Sequence, residues 1–542
     1  MPFPPMNPHV KHSVPAIVSC AVVALAWASP PGGNGAKEID EKTVRTHVEF
    51  LAAPGLEGRD TPSEGLRRAA RYIADRFGEF GLLPASDSVE VLQREGAEFG
   101  YDDAGEDALP GFLRPYRIRH EAPVPEDCFL ALSFDGDELS FAFGRDFVPV
   151  SRCTGSARGE LAFAGFGIDA SSEHYDDFKG ARLKDKIALI FEGEPRHRTR
   201  FDGPEITVNG SLWTKLRSLS DAGVRAVLVV RRAPEGAEED DQNLLDFRHT
   251  FARFSGDRPP RTPRSRPPVL EVSMQAASRL LGTDAAKLVK RMDKSGRPIS
   301  LKLSDREVSL AAVTAQRPVR VDNVVGLLPG TDPVLREEVV ILGAHYDHIG
   351  VDARGRIGTG ADDNASGTSA MLAVMEALAA DPPRRTVLAC AFSGEEDGLV
   401  GSRELAGALP VERGQVVAMV NLDMLGFGDD SELAVIGLRQ NPGLATLVER
   451  ARKHSKTGIR RLVTKGGEDL FRRSDQYSFH QIGLPVLFFF EGLPISRNLD
   501  YHTWRDRIEG VSIRKITRSA RLVRNAIWLL ASDDRRPPAP GR

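Results

Sequence analysis

Cysteine is scarce in this chain, with four residues in 542. Cys390 lies inside an apolar run and reads as a small core residue. Cys20 falls in an N-terminal segment expected to be removed. That leaves Cys128 and Cys153, which an oxidising compartment would let pair if their geometry permits. An excess of one charge is also missing. Lys and Arg number 72 against 76 Asp and Glu, a net charge of −4, so nothing resembles the basic footprint of a nucleic-acid-binding surface. The Arg/Pro-rich residues 258–268 read instead as a solvated loop. The long apolar run at residues 14–28 is shorter than the roughly 20 residues of a membrane-spanning helix, so no stable membrane insertion is expected once it is removed.

What is present begins with that run. Lys11 and His12 precede it and Ala26-Trp27-Ala28 closes it, the small-x-small pattern of a secretory leader. Export to a periplasm or the extracellular space follows, with lipid attachment at Cys20 as a lesser alternative. A hydrophobic content of 41% and a charged content of 27% are globular values, and the length calls for two or three domains. After the leader (1–28) and a Pro/Gly linker (29–39), residues 40–124 open the main domain. Val44, Val48 and Leu51, then Ala70, Ile73 and Phe77, fall at helical spacing around a turn at 56–59. A mobile acidic loop is expected over 95–110. Residues 125–311 form a β-rich insert, with strand-like runs at 129–134, 161–168, 186–191 and 226–230 and a helix over 213–222. A charged, Pro-rich excursion at 231–268 interrupts it. Residues 312–532 alternate strand, loop and helix, which predicts a three-layer α/β/α domain on a mixed, mainly parallel sheet. Ser366 is placed to cap a helix carrying Met371, Leu372, Met375 and Leu378. Residues 533–542 are expected to be a disordered tail.

The chemistry lies in this last domain. The apolar run 339–344 leads into His345-Tyr346-Asp347, and the loop 360–367 holds Asp362 and Asp363. Residues 386–392 lead into Ser393-Gly394-Glu395-Glu396, residues 416–422 into Asp423, and residues 484–490 toward Tyr501-His502. In open α/β sheets ligands gather beyond the carboxyl ends of strands. One His, two Asp, one Glu and a further His are a donor set suited to two zinc ions sharing a carboxylate. A second glutamate beside a ligating one is what metal-assisted hydrolysis needs as a general base.

The strings G-A-H-Y-D-H, G-A-D-D-N-A-S-G, S-G-E-E, N-L-D-M and D-Y-H-T, in this order, resemble those of the co-catalytic dizinc aminopeptidase family, which includes glutamate carboxypeptidase II. L-E-G-R at 56–59 is similar to the same family. F-G-I-D-A-S-S-E-H-Y-D-D-F-K-G at 166–180, with K-D-K-I-A-L-I after it, resembles the protease-associated domain inserted in many members. The resemblance implies two Zn2+ ions bridged by Asp363, with His345 and Asp423 on one and Glu396 and His502 on the other. It implies Glu395 as the base acting on a metal-activated water, Asp347 as a carboxylate orienting His345, and Tyr501 as donor to the developing oxyanion. It further implies a cis peptide between Asp363 and Asn364 and peptides as substrates, trimmed from the N-terminus. Carboxypeptidases and dipeptidases share the scaffold, as do glutaminyl cyclases with a single zinc and relatives that bind without catalysis. The intact donor set favours two zincs and a live enzyme. Arg439, Arg472 and Arg473 are available to a carboxypeptidase reading, and the oligomeric state stays open. Asp362 and His348 read as polar residues outside the ligand set, Asp475 as a helix-start charge, and Asp506 as a partner of His502, Arg505 or Arg507.

Overall fold

The computed structural model describes residues 38–85, 111–170, 174–197, 201, 207–232, 253–254, 267–352, 355–453 and 457–538. The leader with Cys20, residues 29–37 of the linker, the acidic 95–110 loop and nearly all of the 231–268 excursion lie outside them.

Three seven-residue strands, Val339–His345, Thr386–Phe392 and Val416–Leu422, are buried from end to end, as expected of parallel strands covered on both faces. Val339–His345 lies between the other two and is parallel to both, and Val416–Leu422 pairs in parallel with Val486–Phe490. Toward the edges the sheet turns antiparallel. Thr314–Leu328 and Leu113–Pro123 extend it on one side, and Glu432–Ile436 with Arg461–Val463 on the other.

Side chains alternate across a strand, and here the alternation sorts two cores. Val340, Leu342, Ala344, Val387, Ala389 and Ala391 join the cluster under the helices Glu41–Leu51, Glu64–Glu79, Gly367–Ala380 and Ile513–Ser532. Val339, Ile341, Leu388, Cys390 and Phe392 face the opposite cluster, which includes Leu405 and Phe479. Those two come from the helices Val400–Gly407 and Gln476–Gln481. The result is three layers, with Cys390 in the core as read from sequence. Gly343 leaves room for the Phe392 ring, from which a Cβ there would stand 2.5 Å.

The first two helices begin where their caps dictate: the Asp40 side chain accepts from Thr43 N (2.7 Å) and that of Ser63 from Leu66 N (3.0 Å). Ser366 departs from expectation. Its backbone is already helical and it caps nothing. Its hydroxyl donates to Asp362 O (2.6 Å) and accepts from Leu425 N (2.8 Å), tying two loops together. The following helix is buried on nearly every side rather than on one stripe, because it is sandwiched between sheet and outer helices.

Residues 129–312 carry a separate sheet of eight strands with its own cores on its two faces. The strand expected over 161–168 instead runs Gly155–Phe163. It stops because Gly165 and Gly167 take left-handed backbone (φ +53° and +72°), and a Cβ on Gly165 would strike the Asp177 carboxylate. Cys128 and Cys153 are both buried and form no disulfide. They belong to different core clusters, on opposite faces of the sheet, which keeps them from pairing. A ribbon of Leu113–Pro123 against Thr314–Leu328 connects insert and main domain. At its base Glu121 accepts from Ser151 Oγ, Arg152 N, Thr314 Oγ1 and Gln316 Nε2 at 2.7–3.3 Å. The tail expected to be disordered from residue 533 is held through residue 536 by Asp533–Arg450, Asp534–Arg384 and Arg536–Glu338 ion pairs. Among the described residues no helix is long and apolar enough to cross a membrane.

Candidate metal centre

The register of the parallel strands sets the site. His345 is level with Phe392, and Gly343 with Asn421, so His345, the Glu395-Glu396 turn and Asp423 emerge along one edge of the sheet. The loop Ala361–Ser366 and the segment after Val486–Phe490 close over that edge with Asp363 and His502.

Asp363 faces both ways. Its Oδ1 lies 3.4 Å from His345 Nε2, and its Oδ2 3.1 Å from His502 Nε2. His345 Nε2 is also 3.2 Å from Asp423 Oδ1, and His502 Nε2 2.9 Å from Glu396 Oε2. Two donors on a tetrahedral zinc with bonds of 2.0–2.1 Å stand about 3.3 Å apart, so separations of 2.9–3.4 Å fit two ions, one on each side of Asp363. Proximity alone also gathers Glu395 with His345 and Asp423, and His348 with Asp363 and Glu396, each set within 4.8 Å. The charge balance points the same way. Burial lowers the His502 pKa, yet Glu396 and Asp363 outweigh it and lift it to about 10. This excess of carboxylate over imidazole calls for added positive charge.

Asp347 is an organising carboxylate more than a partner of one histidine. His345 Nδ1 sits 3.3 Å from its backbone carbonyl and 3.6 Å from Oδ1. The carboxylate accepts from Glu395 N (3.2 Å), Glu396 N (3.3 Å) and Thr61 Oγ1 (3.3 Å). It thus fixes the turn that presents both glutamates. Glu395 flanks the centre. Burial raises its proton affinity well above that of an ordinary carboxyl, opposed by His345 and assisted by Glu396 and Asp423. Tyr501 stacks on His502 with ring centres 3.9 Å apart. Together with Asp363, Glu395 and Asp423 it lines a cavity of about 350 Å³, open mouth included.

The peptide Asp363–Asn364 is cis, as the resemblance implies. Several supporting contacts, by contrast, escaped the sequence reading. The Asn364 side chain donates to Leu422 O (2.9 Å) and accepts from Met424 N (3.1 Å), bracketing Asp423. Ser474 Oγ donates to Asp423 Oδ2 (2.7 Å). Buried Arg59 donates to the carbonyls of Tyr346, Thr359 and Gly360 at 2.7–3.0 Å, clamping the histidine and aspartate loops. Asp506 orients neither His502 nor an arginine. Its two oxygens accept from Asp362 N (2.8 Å) and Asp363 N (3.0 Å), while Arg505 pairs with Asp500. Asp362 accepts from Gly426 N and Asn498 Nδ2, away from the cluster. Asp475 stands at the start of the helix Gln476–Gln481, as read, but is fully buried, and burial pushes it up to about 7. No periodicity or spacing signals contacts spanning tens to hundreds of residues of sequence.

A three-layer α/β domain with imidazoles and carboxylates converging beyond its parallel strands defines the class, an α/β protein with a two-sided metal-type centre. Residues 323–527, which hold all five candidate donors, match the model of peptidase family M28. Two curated relatives are a probable leucine aminopeptidase of Arthroderma benhamiae and aminopeptidase YwaD of Bacillus subtilis. The first is 29% identical over 215 residues, 39% of this chain and 57% of the relative. The second is 30% identical over 223 residues, 40% of this chain and 46% of the relative. The match thus spans about half the length of each. The fold is shared with the solved structure of BSAP, a zinc aminopeptidase from Bacillus subtilis, at 20% identity and a TM-score of 0.57, covering 92% of this chain and 96% of that one.

Proposed function

We propose that this protein is a zinc-dependent aminopeptidase that removes N-terminal residues from peptides. One observation carries the reading: Asp363 turns one oxygen to His345 and the other to His502, and each pair is completed by a further carboxylate. In this reading His345, Asp363 and Asp423 hold one Zn2+, and Asp363, Glu396 and His502 hold the second. Bound there, the ions supply Lewis acidity and acidify a water molecule. Glu395 takes the proton of the attacking water and returns it to the leaving amine, a role suited to its raised proton affinity. Asp347 keeps His345 and the glutamate turn in place. Tyr501 donates its hydroxyl to the oxygen on which charge develops. Met424, Leu470, Phe488, Phe490 and Ile495 line the same cavity and suit an apolar N-terminal side chain. The names of the relatives support the aminopeptidase assignment. The eight-stranded insert is assigned as a protease-associated domain and the protein as exported, on the resemblances described above.

The deciding experiment pairs Glu395→Gln with a zinc assay. Turnover of a leucyl peptide is expected to fall by roughly 10²–10⁴-fold while the zinc content holds. Full activity in the variant would remove Glu395 from the role of base. One observation favours a second reading, a carboxypeptidase or dipeptidase: of the three arginines considered, Arg473 lines the cavity, with Nη2 3.4 Å from Tyr501 Oη. A guanidinium there suits a substrate carboxylate.

A further inference from the structure

We propose that His348 is a positioning residue that decides which oxygen Glu396 offers to the second ion, an inference resting on the dizinc reading. His348 is fully buried. Its Nδ1 stands 3.0 Å from Glu396 Oε1, whereas the other oxygen of that carboxylate, Oε2, is the one turned to His502 Nε2 at 2.9 Å. The carboxylate is therefore divided, with one oxygen inward among the donors and one outward on His348. His348 is not itself among the donors. Its Nδ1 lies 3.8 Å from Asp363 Oδ2, beyond the about 3.3 Å expected between two donors on a tetrahedral zinc.

The tautomer follows from the bond. A carboxylate oxygen only accepts, so Nδ1 carries the proton and Nε2 is a bare acceptor. That Nε2 is buried with no hydrogen-bond partner among the described residues. An unpaired buried acceptor costs about 1–3 kcal/mol, so the ring keeps its bond to Glu396 at the expense of its other nitrogen. Packing enforces the orientation. The ring meets His502 edge-on with centres 6.0 Å apart, and a Cβ at Gly360 would come within 2.5 Å of it. The His348 backbone N–H is bound by Arg59 O (3.3 Å). A carboxylate held at one oxygen by a donor is oriented to offer the other to an ion, which sets the geometry presented.

The test uses the full chain, with zinc affinity measured by chelator competition and the absorption spectrum of the cobalt(II)-substituted protein as a second readout. Wild type is compared with His348→Phe, His348→Asn and, as a ligand benchmark, His502→Ala. His348→Phe is expected to weaken one of the two ions roughly 10–100-fold, leave the other unchanged and alter the cobalt spectrum. His348→Asn, whose amide can still donate to Oε1, should recover most of the loss. Melting of the chelated proteins separates lost folding from lost metal, and His348→Leu, which also lacks a donor, replaces the Phe variant if that one does not fold. Unchanged affinities and spectrum in His348→Phe would reduce the residue to a space filler. A loss as deep as that of His502→Ala, without rescue by Asn, would make it a direct ligand. Either result overturns the proposal. A wild-type protein that binds fewer than two zinc ions instead defeats the dizinc reading and this inference with it.

Discussion

At the scale of the residue, the site is built from side chains that each serve two elements. Asp347 accepts from the amides of both glutamates and from Thr61 while facing His345. Removing its charge affects more than the histidine. Asp347→Ala is expected to cost about 10–100-fold in zinc affinity, readable by chelator competition. Tyr501 has a narrower role, so Tyr501→Phe should lower kcat by roughly 10²–10³-fold with KM little changed. A rise in KM at constant kcat would mean that the hydroxyl binds substrate uniformly and does not meet the oxyanion. The five candidate donors were legible in the sequence because His345, Glu396 and Asp423 follow strand-like runs and because the strings around all five resemble those of a known family. Their supports were not. Arg59 reaches the carbonyl of Thr359, and Asp506 the amides of Asp362 and Asp363, and sequence carries no spacing rule for such contacts.

At the scale of the element, the apolar runs foretold most strands together with their ends, and one strand of the insert poorly. The runs Thr386–Phe392 and Val416–Leu422 are strands as read. The insert strand was misjudged because Gly165 and Gly167 turn the chain within an apolar stretch. Ser366 resembled a cap by its position, yet its hydroxyl serves two loops. One turn offers a test of pH dependence. Asp332 accepts from Leu335 N and Val334 N and from Arg384, which holds its pKa at about 2 against an ordinary 3.8. A carboxyl depressed on folding stabilises above its unfolded pKa, and that contribution is lost as pH falls through the folded one. Asp332→Asn should therefore lower Tm at neutral pH and flatten its decline between about pH 4 and 2. A variant melting in parallel with the parent over that window would contradict the assignment.

At the scale of the molecule, two sheets with separate cores are joined by one ribbon and by the Glu121 contacts. All five proposed donors lie on the larger unit, so bound zinc stabilises that unit by mass action. A chelator is expected to lower the melting of the α/β domain and leave the transition of the insert in place, as calorimetry can show. A single transition that moves as a whole would mean that insert and domain unfold together.

The most direct test of the whole account is to incubate the zinc-loaded protein with a peptide mixture, with and without a chelator, and read the products by mass spectrometry. Stepwise loss of apolar N-terminal residues, stopped by the chelator, is the result this structure leads us to expect. Trimming from the C-terminus under the same control would contradict it and turn the substrate around on the same centre, with Arg473 as the first residue to mutate.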